Sequence, residues 1–233
     1  MRFFKELFKS PYLISLDILP KDFLNLYRLY HFKPVYFVYN IAGEKNMKNI
    51  VLASQSPRRK ELLEKTGCSF IIDAADIDET IDQSKPLTEE IKRLSHCKAE
   101  HVLHRHPDSL IIGSDTIVTV DGIVLGKPAD KIEAMNMLRR LSGRTHQVIT
   151  GLCILSSRKE YLYVSVSDVS FAVLTEDEIE KYVSTGEPMD KAGAYAIQGI
   201  ASRYITGING DYYAIMGLPL CAVYEELKNI SEY

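Results

Sequence analysis

The sequence feature that most constrains the fold is residues 49–67, NIVLASQSPRRKELLEKTG. Three apolar residues at 50–52 predict a strand, and a short polar loop joins it directly to a predicted helix. Ser56 is a favourable N-cap, and Pro57 suits the first helical position, where its missing N–H costs no hydrogen bond. Gly67 can adopt the left-handed conformation that ends many helices. We therefore expect a β-strand, a tight loop and an α-helix in immediate succession.

The start of this predicted helix suits an anion. Its first backbone N–H groups lack helical partners, and Arg58 and Arg59 add two positive charges in the first turn. Cations at this end oppose the helix dipole, so they are easier to explain if phosphate groups lie among them. The alternative is that both arginines point into water. The chain contains no G-x-x-x-x-G-K-[ST] pattern, which argues against a Walker-type phosphate loop.

Composition indicates a globular protein with a substantial core, since 46% of the 233 residues are hydrophobic and 25% are charged. The formal net charge is −3 and no long basic stripe occurs, which argues against a nucleic-acid polymer as partner. The four cysteines are far apart and form no C-x-x-C pair. This pattern is typical of free thiols in a reducing compartment, so we expect a cytoplasmic protein.

Residues 1–46 differ from the rest of the chain. They hold six of the eight phenylalanines and carry a charge of +3, from seven Lys or Arg against four Asp or Glu. Charged residues and Pro20 interrupt every apolar run, so none could span a membrane. No small-residue cleavage site follows a compact apolar core, and we favour a non-catalytic extension or upstream start over a targeting segment. The main domain is predicted at residues 47–233.

A carboxylate interrupts the longest apolar strand of the sequence. Asp115 lies with Ser114 and Thr116 inside residues 110–118, LIIGSDTIV, which otherwise predict a buried strand. Burial without a partner would raise the pKa of this carboxyl group. A nearby cation or metal would keep it ionised as a base or a ligand. The alternative is a structural aspartate that accepts hydrogen bonds from backbone amides.

A lysine occupies the inner face of the helix predicted after residue 87, with Thr88 as its expected N-cap. Ile91, Leu94 and Val102 mark the buried stripe, and Lys98 takes the missing position at helical spacing. A lysine there is costly unless it meets an opposite charge. Lys98 is therefore a candidate functional residue on physical grounds alone.

Four histidines follow on or near the same helix: His96, His101, His104 and His106. Their spacings do not gather several imidazoles on one face, and no cysteine or carboxylate completes a ligand set. An exposed polar face is favoured over a metal site.

The remainder predicts a mixed sheet. Asp121-Gly122 is typical of a hairpin turn, and residues 147–155 and 161–173 predict an antiparallel pair. Asp130 is expected to cap a helix, with Ile132, Met135, Leu138 and Leu141 facing inward, and Thr175 to open another through a capping box. Helices alternate with strands of both orientations, so the fold class is α/β with a mixed twisted sheet.

Five motifs, taken together, resemble the Maf family of nucleotide pyrophosphatases. They are Ser54-Gln55-Ser56-Pro57-Arg58-Arg59, Gly113-Ser114-Asp115-Thr116, Gly126-Lys127-Pro128, Gly143-Arg144-Thr145-His146-Gln147-Val148, and residues 190–199, DKAGAYAIQG. They occur in the family's order, and the resemblance covers nearly everything from residue 47 to the C-terminus. It implies two lobes with a central cleft, a fold related to inosine triphosphate pyrophosphatases, and a possible homodimer. It also implies hydrolysis of a nucleoside triphosphate to the monophosphate and pyrophosphate with a divalent metal, magnesium or manganese.

The resemblance also assigns candidate site residues. The catalytic candidates it implies are Asp115, Lys98 and Glu79, of which Asp115 and Glu79 are also the candidate metal ligands. The candidates for binding and specificity are Arg58, Thr116, Gln198, Ser54, Ser56, Arg59 and Lys127. Tyr195 and Gln198 are further expected to stack on and hydrogen-bond a base.

Arg58, Thr116 and Gln198 match the positions that distinguish the pyrimidine branch of the family from its methylguanine branch. The resemblance therefore favours dTTP and UTP as substrates. Two alternatives remain open: the same chemistry on 7-methyl-GTP, and a nucleotide-binding regulator of cell division or septum formation without important turnover.

Overall fold

The computed structural model describes residues 49–231, so the expectations for residues 1–46 lie outside the described part. The strands are β1 (Ile50–Leu52), β2 (Phe70–Ile72), β3 (Leu110–Val120), β4 (Ile123–Leu125), β5 (Thr145–Ser156), β6 (Lys159–Phe171) and β7 (Ile205–Asn209). The α-helices are α1 (Pro57–Glu64), α2 (Leu87–Leu103), α3 (Lys131–Leu141), α4 (Glu176–Ser184), α5 (Tyr212–Met216) and α6 (Leu220–Ser231). Three short 3₁₀ helices lie at Glu187–Asp190, Ala192–Ala194 and Ile200–Tyr204.

The seven strands form one mixed sheet, which confirms the predicted fold class. The strand order is β2-β1-β3-β5-β6-β7, with β4 paired to β3 beside this path. β1 is parallel to β2 and β3, whereas β5 is antiparallel to β3 and β6. The long β3–β5 pairing places Asp115 opposite Gly151 at the centre of the sheet.

Local signals in the sequence determine several element ends. The Ser56 hydroxyl accepts the N–H of Arg59 at 3.5 Å, and Gly67 follows α1 with φ +77°. Asp121 and Gly122 both have positive φ, as the predicted hairpin requires. Thr175 opens α4 with both hydrogen bonds of a capping box.

Two helix predictions were wrong in detail. α2 begins at Leu87 with Pro86 as N-cap, because the Pro86 carbonyl already accepts the N–H groups of Glu89 and Glu90. Thr88 is therefore inside the helix and is not its cap. In α3 the buried residues are Ala134, Met137, Leu138 and Leu141. Ile132 is 69% exposed, because the helix turns a neighbouring stripe towards the core.

Helices cover both faces of the sheet. α2 packs on one face against β3 and β5 at very short range. A Cβ atom on Gly113 would lie 2.3 Å from the carbonyl oxygen of Ser95, and one on Gly151 would lie 2.5 Å from that of Ile91. No side chain fits at either position, so the backbone of α2 rests directly on the sheet.

The opposite face carries the main core and two groups of helices. α1 contacts α5 in one group, and α3 contacts α4 and the first two 3₁₀ helices in the other. Together they cover apolar residues from both ends of β3, such as Ile112 and Val118. A cleft is lined by residues from both groups and also by Lys98 of α2. Among the described helices, none combines the length and the apolar character that crossing a bilayer would demand.

Candidate functional site

The cleft has a volume of about 900 Å³, large enough for a nucleotide. The loop between β1 and α1 forms one wall, and Gly126, Lys127, residues 190–192 and residues 195–198 contribute to the other. Asp115 and Thr116 of β3 lie at the floor. All ten site residues expected from the sequence line the cleft. Six of them belong to the two walls, and the other four are Glu79, Lys98, Asp115 and Thr116.

Lys98 bridges two carboxylates at the floor of the cleft. Its Nζ atom lies 2.6 Å from Oδ1 of Asp115 and 2.7 Å from Oε1 of Glu79. Lys98 is 5% exposed and Asp115 is 9% exposed, whereas the Glu79 side chain is 53% exposed. The buried ammonium group is thus paired with negative charge, as its position requires. Glu79 lies on the solvent side of the Lys98–Asp115 pair.

Arg59 connects the loop between β1 and α1 to the floor of the cleft. Its Nε donates to the carbonyl of Gly217 at 2.9 Å, and its Nη1 donates to the Ser54 hydroxyl at 3.1 Å. Its Nη2 donates to the Thr116 hydroxyl at 3.4 Å and lies 3.7 Å from Oδ1 of Asp115. Burial lowers the pKa of Arg59, and the negative charge of Asp115 opposes that shift. Arg59 therefore does not point into water but organises the site.

Arg58 lies at the mouth of the cleft and faces the other wall. Its Nη1 lies 3.7 Å from Oδ2 of Asp190, which also pairs with Lys191. Lys127 and Gln198 are exposed and line the same opening. The arrangement places cationic groups on both sides of the cleft, as binding of a polyphosphate requires.

Residues 49–230 match the model of a family described as Maf-like protein. The chain belongs to this family. A relative from Symbiobacterium thermophilum, named dTTP/UTP pyrophosphatase, is 49% identical over 174 residues, which are 75% of this chain and 90% of the relative. Relatives of the same name from Geobacillus sp. and Bacillus pumilus are 47% and 43% identical over 184 and 182 residues. These matches cover 79% and 78% of this chain and 99% and 96% of the relatives.

Two polar residues of this Maf-like protein extend the site beyond the sequence predictions. Oγ1 of Thr150 on β5 lies 3.0 Å from Oγ1 of Thr116 and 2.7 Å from the carbonyl oxygen of Ala214. Lys191 lines the cleft with a side chain only 14% exposed. Lys191 belongs to the motif at residues 190–199, which was a usable signal. No sequence pattern pointed to Thr150, because only strand pairing places it beside Thr116.

Tyr195 forms part of a buried aromatic cluster. Its ring is 5% exposed and packs edge-to-face with His146 and Phe171. Its hydroxyl lies 2.8 Å from Nε2 of His146, and burial lowers the pKa of His146 to about 4. These contacts favour a role in supporting the cleft wall over the expected stacking on a base. Nδ1 of His146 is buried without a hydrogen-bond partner in the described part of the protein.

The donor set fits a divalent cation that arrives with phosphate groups. Asp115 and Glu79 already converge on one cation, the Lys98 ammonium. Magnesium is commonly held by one or two carboxylates together with phosphate oxygens, so two protein ligands suffice. Within residues 49–231, no cluster of three or more His, Cys, Asp or Glu side chains forms an all-protein site. His96 and His106 face different carboxylates, Glu160 and Asp73.

Proposed function

We propose that this Maf-like protein hydrolyses dTTP and UTP to the nucleoside monophosphate and pyrophosphate. The observation that carries the proposal is the Lys98–Asp115–Glu79 cluster on the floor of a cleft with cations on both walls. The names of the similar proteins from Symbiobacterium thermophilum and Geobacillus sp. support the substrate assignment.

The cationic groups would bind and orient the triphosphate. Phosphoryl transfer depends mainly on positioning and on neutralising charge, and little covalent chemistry is asked of the protein. Arg58 and Lys127 lie at the opening of the cleft, whereas Arg59 and Lys98 lie near Asp115. The first turn of α1 adds backbone N–H groups that suit a phosphate oxygen.

Asp115 would accept the proton of the attacking water. Oδ1 is engaged by Lys98, so Oδ2 is the candidate acceptor atom. The positive charges of Lys98 and Arg59 lie beside this carboxylate, at 2.6 Å and 3.7 Å from its Oδ1 atom. Glu79 would share the charge of Lys98 and remain within reach of the phosphates.

We propose magnesium or manganese as the cofactor, with Asp115 and Glu79 as its protein ligands. When bound, such a metal polarises phosphoryl oxygens and lowers the pKa of a coordinated water.

The four cysteines, Cys68, Cys97, Cys153 and Cys221, are all free thiols. This supports a reducing compartment such as the cytoplasm.

Gln198 would recognise the base. A carboxamide offers one donor and one acceptor, and the uracil or thymine edge presents an acceptor, N3–H and a second acceptor. Two hydrogen bonds can therefore form. A glutamate would instead suit the donor-rich edge of a guanine. Once a bound base covers Gln198, leaving one of these polar groups unpaired would cost about 1–3 kcal/mol, or roughly ten- to a hundredfold in discrimination.

The test is pyrophosphate release from dTTP, UTP and 7-methyl-GTP with magnesium and with manganese. We expect higher kcat/KM for the two pyrimidine nucleotides, and Gln198→Glu should narrow or reverse that preference. A preference of the unmodified protein for 7-methyl-GTP would contradict the base assignment. Tight nucleotide binding without pyrophosphate release would indicate a nucleotide-binding regulator instead.

A further inference from the structure

We propose that Glu187 is a positioning residue for base recognition, because its carboxylate fixes the backbone that follows Gln198. This inference rests on the proposed role of Gln198 in recognising the base. Glu187 itself is not among the described residues that line the cleft. Any effect it has on the nucleotide must therefore act through the segment that carries Gln198.

The Glu187 carboxylate connects the core to that segment. Its Oε1 accepts the hydroxyl of Tyr182 at 2.9 Å, and its Oε2 accepts the backbone N–H of Ile200 at 3.0 Å. Tyr182 belongs to α4, is fully buried and packs edge-to-face with Tyr204. Burial raises the pKa of Tyr182, so its hydroxyl stays protonated and donates. One carboxylate thus links a rigid core helix to a residue two positions after Gln198.

The absence of a side chain on Gly199 allows the Glu187 carboxylate to approach the backbone closely. A Cβ atom on Gly199 would lie 2.3 Å from Oε1 of Glu187 and 2.6–2.7 Å from the other two carboxylate atoms. The carboxylate therefore lies directly against the Cα atom of Gly199. Only glycine fits at this position, because it has no side chain. The N–H of Gly199 also bonds the carbonyl of Ala196 at 3.1 Å. Gln198 sits at the corner of a turn whose next two residues are held by Glu187.

A fixed backbone is needed here because the Gln198 side chain is exposed at the mouth of the cleft. A long, exposed carboxamide can discriminate bases only if its point of attachment does not move, since misplacement by about 1 Å can cost around a hundredfold. Lys98 and Asp115 are held by α2 and β3 instead. Loss of the Glu187 contacts should therefore weaken base selection while leaving the chemical step intact.

The experiment compares UTP with 7-methyl-GTP, which share the ribose and the triphosphate and differ in the base. Glu187→Ala should lower the UTP/7-methyl-GTP ratio of kcat/KM by about tenfold, through a higher KM for UTP at unchanged kcat. Inhibition by pyrophosphate should not change. Glu187→Gln should restore most of the ratio, because its amide can accept from Ile200 and donate to the Tyr182 oxygen.

A double-mutant cycle separates this inference from the proposed function. If Glu187 acts through Gln198, the Glu187→Ala/Gln198→Ala variant should have the same ratio as Gln198→Ala alone. A normal ratio in Glu187→Ala, with selectivity lost in Gln198→Ala, would overturn the inference and leave base recognition by Gln198 standing. No effect of Gln198→Ala would overturn both.

Structural damage has a distinct signature. An equal loss of kcat/KM for both nucleotides in Glu187→Ala would mean that Glu187 merely maintains the fold, and it would overturn the inference. Tyr182→Phe provides a milder variant if the alanine protein does not fold. It removes one of the two carboxylate contacts and should lower the ratio by a smaller factor.

Discussion

Replacing Asp115 by asparagine should remove most of the turnover while leaving the cleft in place. The two side chains have nearly the same shape, but a neutral amide cannot accept a proton from water at pH 7. A general base commonly contributes about 10²–10⁴-fold to a rate. This corresponds to about 3–5 kcal/mol of the activation barrier, and we expect kcat to fall by that factor.

The cost to stability follows from the contacts of Lys98. Its Nζ loses the negative charge at 2.6 Å, although the asparagine carbonyl oxygen can still accept its hydrogen bond, and it keeps Glu79 at 2.7 Å. Removing the partner of a buried charge costs about 3–5 kcal/mol when nothing replaces it. Because Glu79 remains, a smaller loss of about 1–3 kcal/mol is expected. The variant should therefore fold, with a Tm lower by a few degrees to about ten degrees.

Pyrophosphate release from dTTP measures the loss of turnover, and calorimetric titration with the nucleotide shows whether binding survives. Asp168→Asn is the matched control. It makes the same substitution on β6, where Asp168 accepts a hydrogen bond from Gln147 at 3.3 Å, and it should leave kcat unchanged. A folded, nucleotide-binding Asp115→Asn protein with kcat within about tenfold of wild type would refute the assignment of the base.

Three further predictions concern the surroundings of the site. Lys98→Ala should lower kcat as well as Tm, and a lower Tm at unchanged kcat would make the lysine structural. His146 has a pKa of about 4 in the fold against 6.5 normally, so the unfolded chain binds its proton first as pH falls. Because of this residue, the free energy of unfolding should be roughly 2 kcal/mol lower at pH 5 than at pH 7. The His146→Gln variant should lack this contribution. An equal loss of stability between pH 7 and pH 5 in the variant and the wild type would contradict the prediction. Gly113→Ala should cost about 1–3 kcal/mol and lower kcat, because the added methyl group pushes α2 and Lys98 away from the sheet. An unchanged Tm would argue against that contact.

The elements that could be predicted are those specified by neighbours in the sequence. Ser56 and Gly67 mark the ends of α1 through local hydrogen bonding and backbone conformation, and the structure follows both. Lys98 could be identified because helical spacing places it on the buried face of α2 whatever lies opposite. Its partner Asp115 stands out in the same way, as a charge within an apolar strand.

The rest depends on contacts between distant parts of the chain. Arg59 bonds the carbonyl of Gly217, 158 residues away, and no local pattern specifies that contact. Strand pairing alone brings Thr150 to Thr116. Tertiary packing also overrides local preference, since Ile132 fits the inward stripe of α3 but lies exposed. Predictions from periodicity fail where a neighbouring element decides which stripe is covered.

The close contact of α2 with the sheet has a consequence for how this protein tolerates change. Lys98 is carried by the helix and Asp115 by the strand, so the spacing between helix and sheet also sets the spacing between these two side chains. That spacing is set by the missing side chains of Gly113 and Gly151. A mutational scan scored for turnover should therefore find severe intolerance at two positions that have no functional group at all. Any attempt to graft Lys98 and Asp115 onto another sheet would have to transfer these two glycines with them.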